Sequence, residues 1–226
     1  MNLLHELNGN QNDSQSIEGL YEARNKTIQL LNEIKNNLYE GINEVEARKL
    51  AIKIASDLGT NKHWHQPYIR IGSGTALSFH EPLQEQNILF PNLPYYIDLG
   101  PVWKMPDHLL EYEGDYGDTF IFGENAEAEI CISLARQLFI EAKNKWTNEN
   151  YTGEQIYQFI RKKSQEAGYV LMEDFDGHRI SDFPHHNYTL ERLANIPFTP
   201  SPSLWILELQ INDPEKRFGA FYEDTL

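Results

Sequence analysis

The chain has 226 residues, 40% hydrophobic and 23% charged, a globular composition that excludes disorder over the whole length, and no apolar run approaches the ~20 residues of a membrane-spanning helix. Nineteen basic residues against 34 acidic ones leave a formal charge of −15; that sign repels phosphate backbones and anionic membranes, so neither nucleic acid nor membrane is an expected partner. The single cysteine, Cys131, excludes a disulfide framework and a zinc site built on paired cysteines, and the polar start Met1–Ser16 lacks a signal-peptide pattern, so a cytoplasmic protein is expected.

After a polar tail over residues 1–16, a single domain is expected over 17–226. Ile17, Leu20, Tyr21, Ala23, Leu30, Leu31, Ile34 and Leu38 fall near helical spacing and predict a long amphipathic helix. Beyond a turn at Gly41, Asn43 stands three residues before Glu46, a capping box that opens a helix ending at Gly59. Short β-type runs follow between Gly, Pro and Asn: Tyr68–Ile71, Ala76–Phe79, Tyr95–Leu99 and Thr119–Phe122. The order then starts again. Ala126–Trp146 is helical, Thr152 with Gln155 caps a further helix to Gly168, and strands are predicted at Tyr169–Met172, Leu204–Ile211 and Phe218–Glu223. Helix, helix, strands, twice over, with no helices between the strands, predicts an α+β fold with an antiparallel or mixed sheet. Two such halves about a pseudo-twofold axis put a pocket at their junction.

Three acids stand inside apolar strand-like runs: Asp98 in Tyr95–Gly100, Glu208 in Leu204–Ile211, and Glu223 directly after Phe218–Tyr222. An isolated buried carboxylate is costly, so each must be neutral, paired or bound to a cation. Few Lys or Arg residues lie near them in sequence, although a distant one folding in is the alternative. On period-two alternation Glu208 shares a face with Leu204, Ile206 and Gln210. Asp115, in a Gly-rich stretch, reads by itself as a turn acid. The histidines are His63 and His65, alternating on one side of a short run, His80 before Glu-Pro, His178 after Gly177, and His185–His186 after Pro184. Each alone reads as a surface or satisfied core group. Together, several carboxylates and a few histidines form the donor set of a hard or borderline divalent ion.

These residues resemble the methionine aminopeptidase, aminopeptidase P, prolidase and creatinase family, whose fold is the pita bread. Asp98-Leu99-Gly100 is similar to the family's Asp-x-Gly strand, and Asp115 with Thr119-Phe120-Ile121-Phe122-Gly123 to its second aspartate motif. Gly177-His178 with His185 seven residues on resembles its ligand and substrate-facing histidines. Glu208 and Glu223-Asp224-Thr225 resemble its two glutamates, and His80 its upstream histidine. The likeness runs from Ile17 to Leu226. It implies two pseudo-symmetric halves around a curved, mostly antiparallel sheet. The chain departs from the pattern in a longer stretch between Asp98 and Asp115, in Asp118 where one version of the motif has arginine, and in His186 where glutamate is common.

The resemblance implies two divalent ions (manganese, cobalt, iron or zinc) held by Asp98, Asp115, His178, Glu208 and Glu223, with Glu208 also shuttling a proton. His80 and His185 are then expected to hydrogen-bond the substrate carbonyl and the tetrahedral intermediate. The implied function is a metal-dependent hydrolase of the aminopeptidase or Xaa-Pro type, cleaving an amide or peptide bond near the N-terminus of a small peptide-like substrate, with a homodimer left open. The alternatives are a non-peptidase metalloenzyme on the same fold, by creatinase-like C–N hydrolysis or iron-dependent oxidation of a small metabolite, and a catalytically silent peptide-binding module.

Overall fold

Asn43 and Thr152 open helices as their spacing predicts, in a computed structural model that describes residues 14–106, 109–184 and 189–226. Each side chain accepts from the backbone N–H three residues on (3.0 Å at Glu46, 3.2 Å at Gln155), and that residue's side chain reaches back to the cap's own N–H. The helices are α1 (Ser14–Asn37), α2 (Glu44–Asp57), α3 (Ala126–Glu149) and α4 (Gly153–Glu166). None is long and apolar enough to cross a membrane.

The strands are β1 (His63–Ile71), β2 (Leu93–Lys104), β3 (Glu111–Glu113), β4 (Tyr116–Phe122), β5 (Val170–Leu171), β6 (His178–Arg179), β7 (Trp205–Asn212) and β8 (Gly219–Thr225). They form one sheet in the order β1-β2-β4-β8-β7-β5, with β3 on β2 and β6 on β7, and every pairing is antiparallel. The two halves of the chain meet where β4 pairs β8, at Gly117 opposite Glu223. This is the doubled, pseudo-symmetric α+β arrangement expected of the pita bread.

Alternation along the central strands sorts side chains between two environments. Tyr95, Ile97 and Leu99 of β2 enter the main core with Leu30, Ile34 and Leu138 from the helices. Tyr96 instead joins Phe175 and Phe221 in a second, smaller apolar cluster, and Asp98 lies on that same face. In β7, Trp205, Leu207 and Leu209 are core residues while Glu208 and Gln210 turn the other way, Gln210 donating to the Leu77 carbonyl at 3.3 Å. The helices therefore cover one face of the sheet with hydrocarbon, and the other face carries the acids.

Three segments differ from expectation, the shortest being β6, a strand the spacing does not predict. Ala76–Phe79 is not a strand: Gly72–Ala76 is a 3-10 turn, and the loop after it is gathered by Arg70, which donates to the carbonyls of Ser78 (3.0 Å) and Pro82 (2.9 Å). Arg70 is itself fully buried beside Glu44, whose carboxylate accepts from Ile71 N, Gln84 N and Asn87 Nδ2. The extra length between Asp98 and Asp115 is a hairpin, with β2 running on to Lys104 and β3 pairing back from Glu111. It packs on α1, where Trp103 Nε1 donates to Thr27 Oγ1 at 3.0 Å, and none of its described residues lines the cavity beside the acids.

Candidate metal centre

One lateral row crosses the sheet through Tyr68, Asp98, Gly117, Glu223 and Glu208, residues paired in register on β1, β2, β4, β8 and β7. A Cβ at Gly117 would fall on the Phe221 ring and Glu223 Oε1, so glycine leaves that space to the Glu223 carboxylate. Asp115 enters from the residue pair before β4, and His178 from β6, where it pairs with Ile206 two residues from Glu208. The row thus brings together acids separated by more than a hundred residues of chain.

Gly177 sets the approach of His178. Its φ of 66° is the left-handed region that favours glycine, and a Cβ there would run into Tyr157 Oη, Leu193 and the Ile206 carbonyl. His178 Nδ1 then donates to the Arg179 carbonyl at 2.9 Å, which fixes the tautomer and directs Nε2 at Asp115 Oδ2, 3.0 Å away.

Asp98, Asp115, Glu208 and Glu223 are all buried. Among the described residues none of the four pairs with a Lys or Arg, and Asp98 Oδ1, both Asp115 oxygens and Glu223 Oε1 accept no hydrogen bond. Several cations are paired with other acids: Arg192, on the cavity wall, with Asp176, Arg24 with Asp224, Arg70 with Glu44, and Arg136 with Asp118 through two bonds of 3.0 and 2.9 Å. Asp118 is therefore a partner of α3.

Such crowding shifts the titration of every member. Burial, opposed by His178 and reinforced by Asp98 and Asp115, pushes Glu208 up to about 7. Burial and the charges of Asp115, Asp98 and Glu208 push Glu223 well above the carboxylate range. Burial raises Asp98 as well, with His65 pulling against it. Asp115 goes the other way: burial is outweighed by its contacts with His178 and His65, which hold it below the usual range. Burial would lower both histidines, but Asp98 and Asp115 acting on His65, and Asp115 and Glu208 acting on His178, bring each to about 9. Buried acids with no Lys or Arg beside them, faced by imidazole nitrogen, are the donor set that divalent cations neutralise.

A cavity of about 290 Å³ opens beside the acids, lined by Asp98, His178, Glu208 and Glu223 together with His65, Trp64, Tyr68, Phe79, Phe175 and Arg192. His80 is absent from that lining. It is exposed, its ring 4.0 Å from that of Phe79, and lines a neighbouring hollow with Val45 and Arg48. The Arg70-gathered loop turns Phe79 inward in its place. His185 and His186 lie outside the described residues. His63 does not line the cavity, whereas His65 does, with Nε2 3.4 Å from Asp98 Oδ1. The sequence signal for His65 was only its alternation with His63; it carries no motif of its own.

Residues 18–226 match the model of Metallopeptidase family M24. No curated protein matches the chain in sequence. Among solved structures it is similar to an X-Pro aminopeptidase from Thermotoga maritima, with a TM-score of 0.75 at 17% identity over 94% of this chain and 58% of that one. It is also similar to the prolidase from Pyrococcus horikoshii OT3, with a TM-score of 0.74 at 17% identity over 94% and 59% of the two chains. A methionine aminopeptidase from Thermotoga maritima gives 0.71 at 12% identity over 94% and 92%. The chain thus spans under two thirds of the first two structures and nearly all of the third. These likenesses carry the fold, and with the match across 18–226 they establish that the chain belongs to Metallopeptidase family M24.

Proposed function

We propose that the chain is a dinuclear metal-dependent hydrolase that cleaves an amide or peptide bond near the N-terminus of a small peptide-like substrate. One observation carries the reading: Asp98, Asp115 and Glu223 present buried oxygens that no Lys, Arg or backbone N–H reaches among the described residues, and a histidine whose Nδ1 is held by a carbonyl sets its Nε2 3.0 Å from Asp115 Oδ2. Asp98, Asp115, His178, Glu208 and Glu223 would hold the ions, manganese suiting the oxygen-rich set. Bound there, divalent ions supply Lewis acidity and make a coordinated water a nucleophile near neutral pH.

The chain's own residues do the rest. Glu208 accepts a proton from the attacking water and returns it to the leaving amine. Trp64, Tyr68, Phe79 and Phe175 wall the cavity with aromatic surface, which excludes water and fits an apolar residue beside the bond to be cut. At about 290 Å³ the cavity is close to the lower bound of ligand pockets, which run from roughly 300 to 1,000 Å³, and takes a dipeptide or similar group beside the acids. The aminopeptidase and Xaa-Pro names of the similar structures define the panel to try. Chain loaded with Mn2+ or Co2+ is expected to hydrolyse members of a methionyl and Xaa-Pro dipeptide panel, and Glu208→Gln to lose turnover even at Mn2+ concentrations that restore its metal content. Bound metal with no hydrolysis of any member by the wild type would overturn the peptidase reading.

A further inference from the structure

We infer that His65 is a sixth protein ligand of the metal centre, giving the Asp98 side of Asp115 a nitrogen donor to match His178 on the other side. The inference rests on the proposed function and adds a residue that the resemblance leaves without a role.

His65 Nε2 lies 3.4 Å from Asp98 Oδ1 and 3.8 Å from Asp115 Oδ1, and one ligand atom from each residue falls within 4.8 Å of the others. Donors bound to one cation at about 2.0–2.2 Å stand roughly 3–3.6 Å apart at neighbouring positions, so Asp98 Oδ1 is already at that spacing from the ring nitrogen and Asp115 Oδ1 just beyond it. Both of those oxygens lack a hydrogen bond. Asp115 therefore faces His65 with Oδ1 and His178 with Oδ2.

The ring is also set as a ligand is set. Nδ1 of His65 donates to the Gln66 carbonyl at 3.0 Å, as Nδ1 of His178 does to the Arg179 carbonyl, so Nε2 is the nitrogen turned to the acids in each. The backbone is shaped around it. β1 shifts register between His63 and His65 and again between His65 and Tyr68, and such irregularities re-aim a side chain. Opposite His65 on β2 stands Gly100, where any Cβ would fall on the imidazole Cδ2 and Nε2. Finally, the halves match: His65 opposes a residue two positions from Asp98, and His178 a residue two positions from Glu208, each on the strand flanking the acid.

The competing arrangement is an imidazolium that keeps its Nε2 proton and ion-pairs with Asp98. Co2+ separates the two, because the ring N–H of a coordinated histidine gives a hyperfine-shifted, solvent-exchangeable proton resonance. The full chain loaded with two equivalents of Co2+ is expected to show such resonances for both His65 and His178. His65→Gln should lose one and bind the second equivalent at least about tenfold more weakly. Gly100→Ala keeps every donor but fills the space of the ring, and should lose the same resonance. A wild type with a single shifted ring proton, or a spectrum unchanged in His65→Gln or Gly100→Ala, overturns the inference and leaves the metal centre standing. A wild type that takes up no Co2+ overturns both.

Discussion

Glu208 is where chemistry and stability pull against each other. In the metal-free chain burial among other acids pushes Glu208 up to about 7; with the proton-accepting carboxylate gone, Glu208→Gln should lower turnover by about 10²–10⁴-fold, while metal content, measured by elemental analysis at saturating Mn2+, falls by no more than one ion per chain. The same crowding fixes how the metal-free protein responds to pH. Glu208 moves from 4.5 to about 7 on folding, so its contribution is complete below 4.5 and is lost as pH rises through about 7. His65 and His178, raised from 6.5 to about 9, add a contribution of the same sign that is lost between those values. The chelated protein should therefore melt at progressively lower temperature from about pH 5 to about pH 9, and divalent ions should reverse the trend; a melting temperature that rises over that range would contradict these assignments. Asp98, Glu208 and Glu223 could be picked out of the sequence because a charge inside a hydrophobic strand demands an explanation. His65 could not, because its direction depends on register shifts in β1 and on a glycine in the neighbouring strand, neither of which alternation records.

At the scale of elements, the loop bearing Phe79 is held by a buried ion pair and not by strand pairing. Glu44, the first residue of α2, receives donors from Ile71, Gln84 and Asn87, and Arg70 collects the carbonyls of Ser78, Glu81 and Pro82. Removing one member strands the other's charge in the interior, so Arg70→Met should cost about 3–5 kcal/mol by denaturant titration, with amide exchange in residues 77–89 accelerating most. Uniform acceleration along the chain would show that the pair does not organise that loop. The third helix is tied to the sheet by Arg136 and Asp118, a pair partly open to water; Asp118→Asn should cost no more than about 1 kcal/mol. Helices with capping boxes were legible because the cap is written within four residues. The two-residue β6 and three-residue β3 were not, since strands so short exist only through their partners, β7 and β2.

For the molecule as a whole, the doubled order of helices and strands was readable without any structure, since it depends only on periodicity and turns. What periodicity left out is that pairing β4 with β8 draws acids from both halves onto one face. With a net charge of −15 and a buried acidic row, the fold should be linked to divalent ions: each that binds the folded chain alone stabilises it by mass action, about 2.7 kcal/mol at a hundred times its dissociation constant. The most direct test is metal stoichiometry by equilibrium dialysis against Mn2+ or Co2+ for the wild type and Asp115→Asn. The account predicts two ions per wild-type chain and one or none in the variant. A wild type that retains no ion, or a variant that retains as many as the wild type, would contradict it.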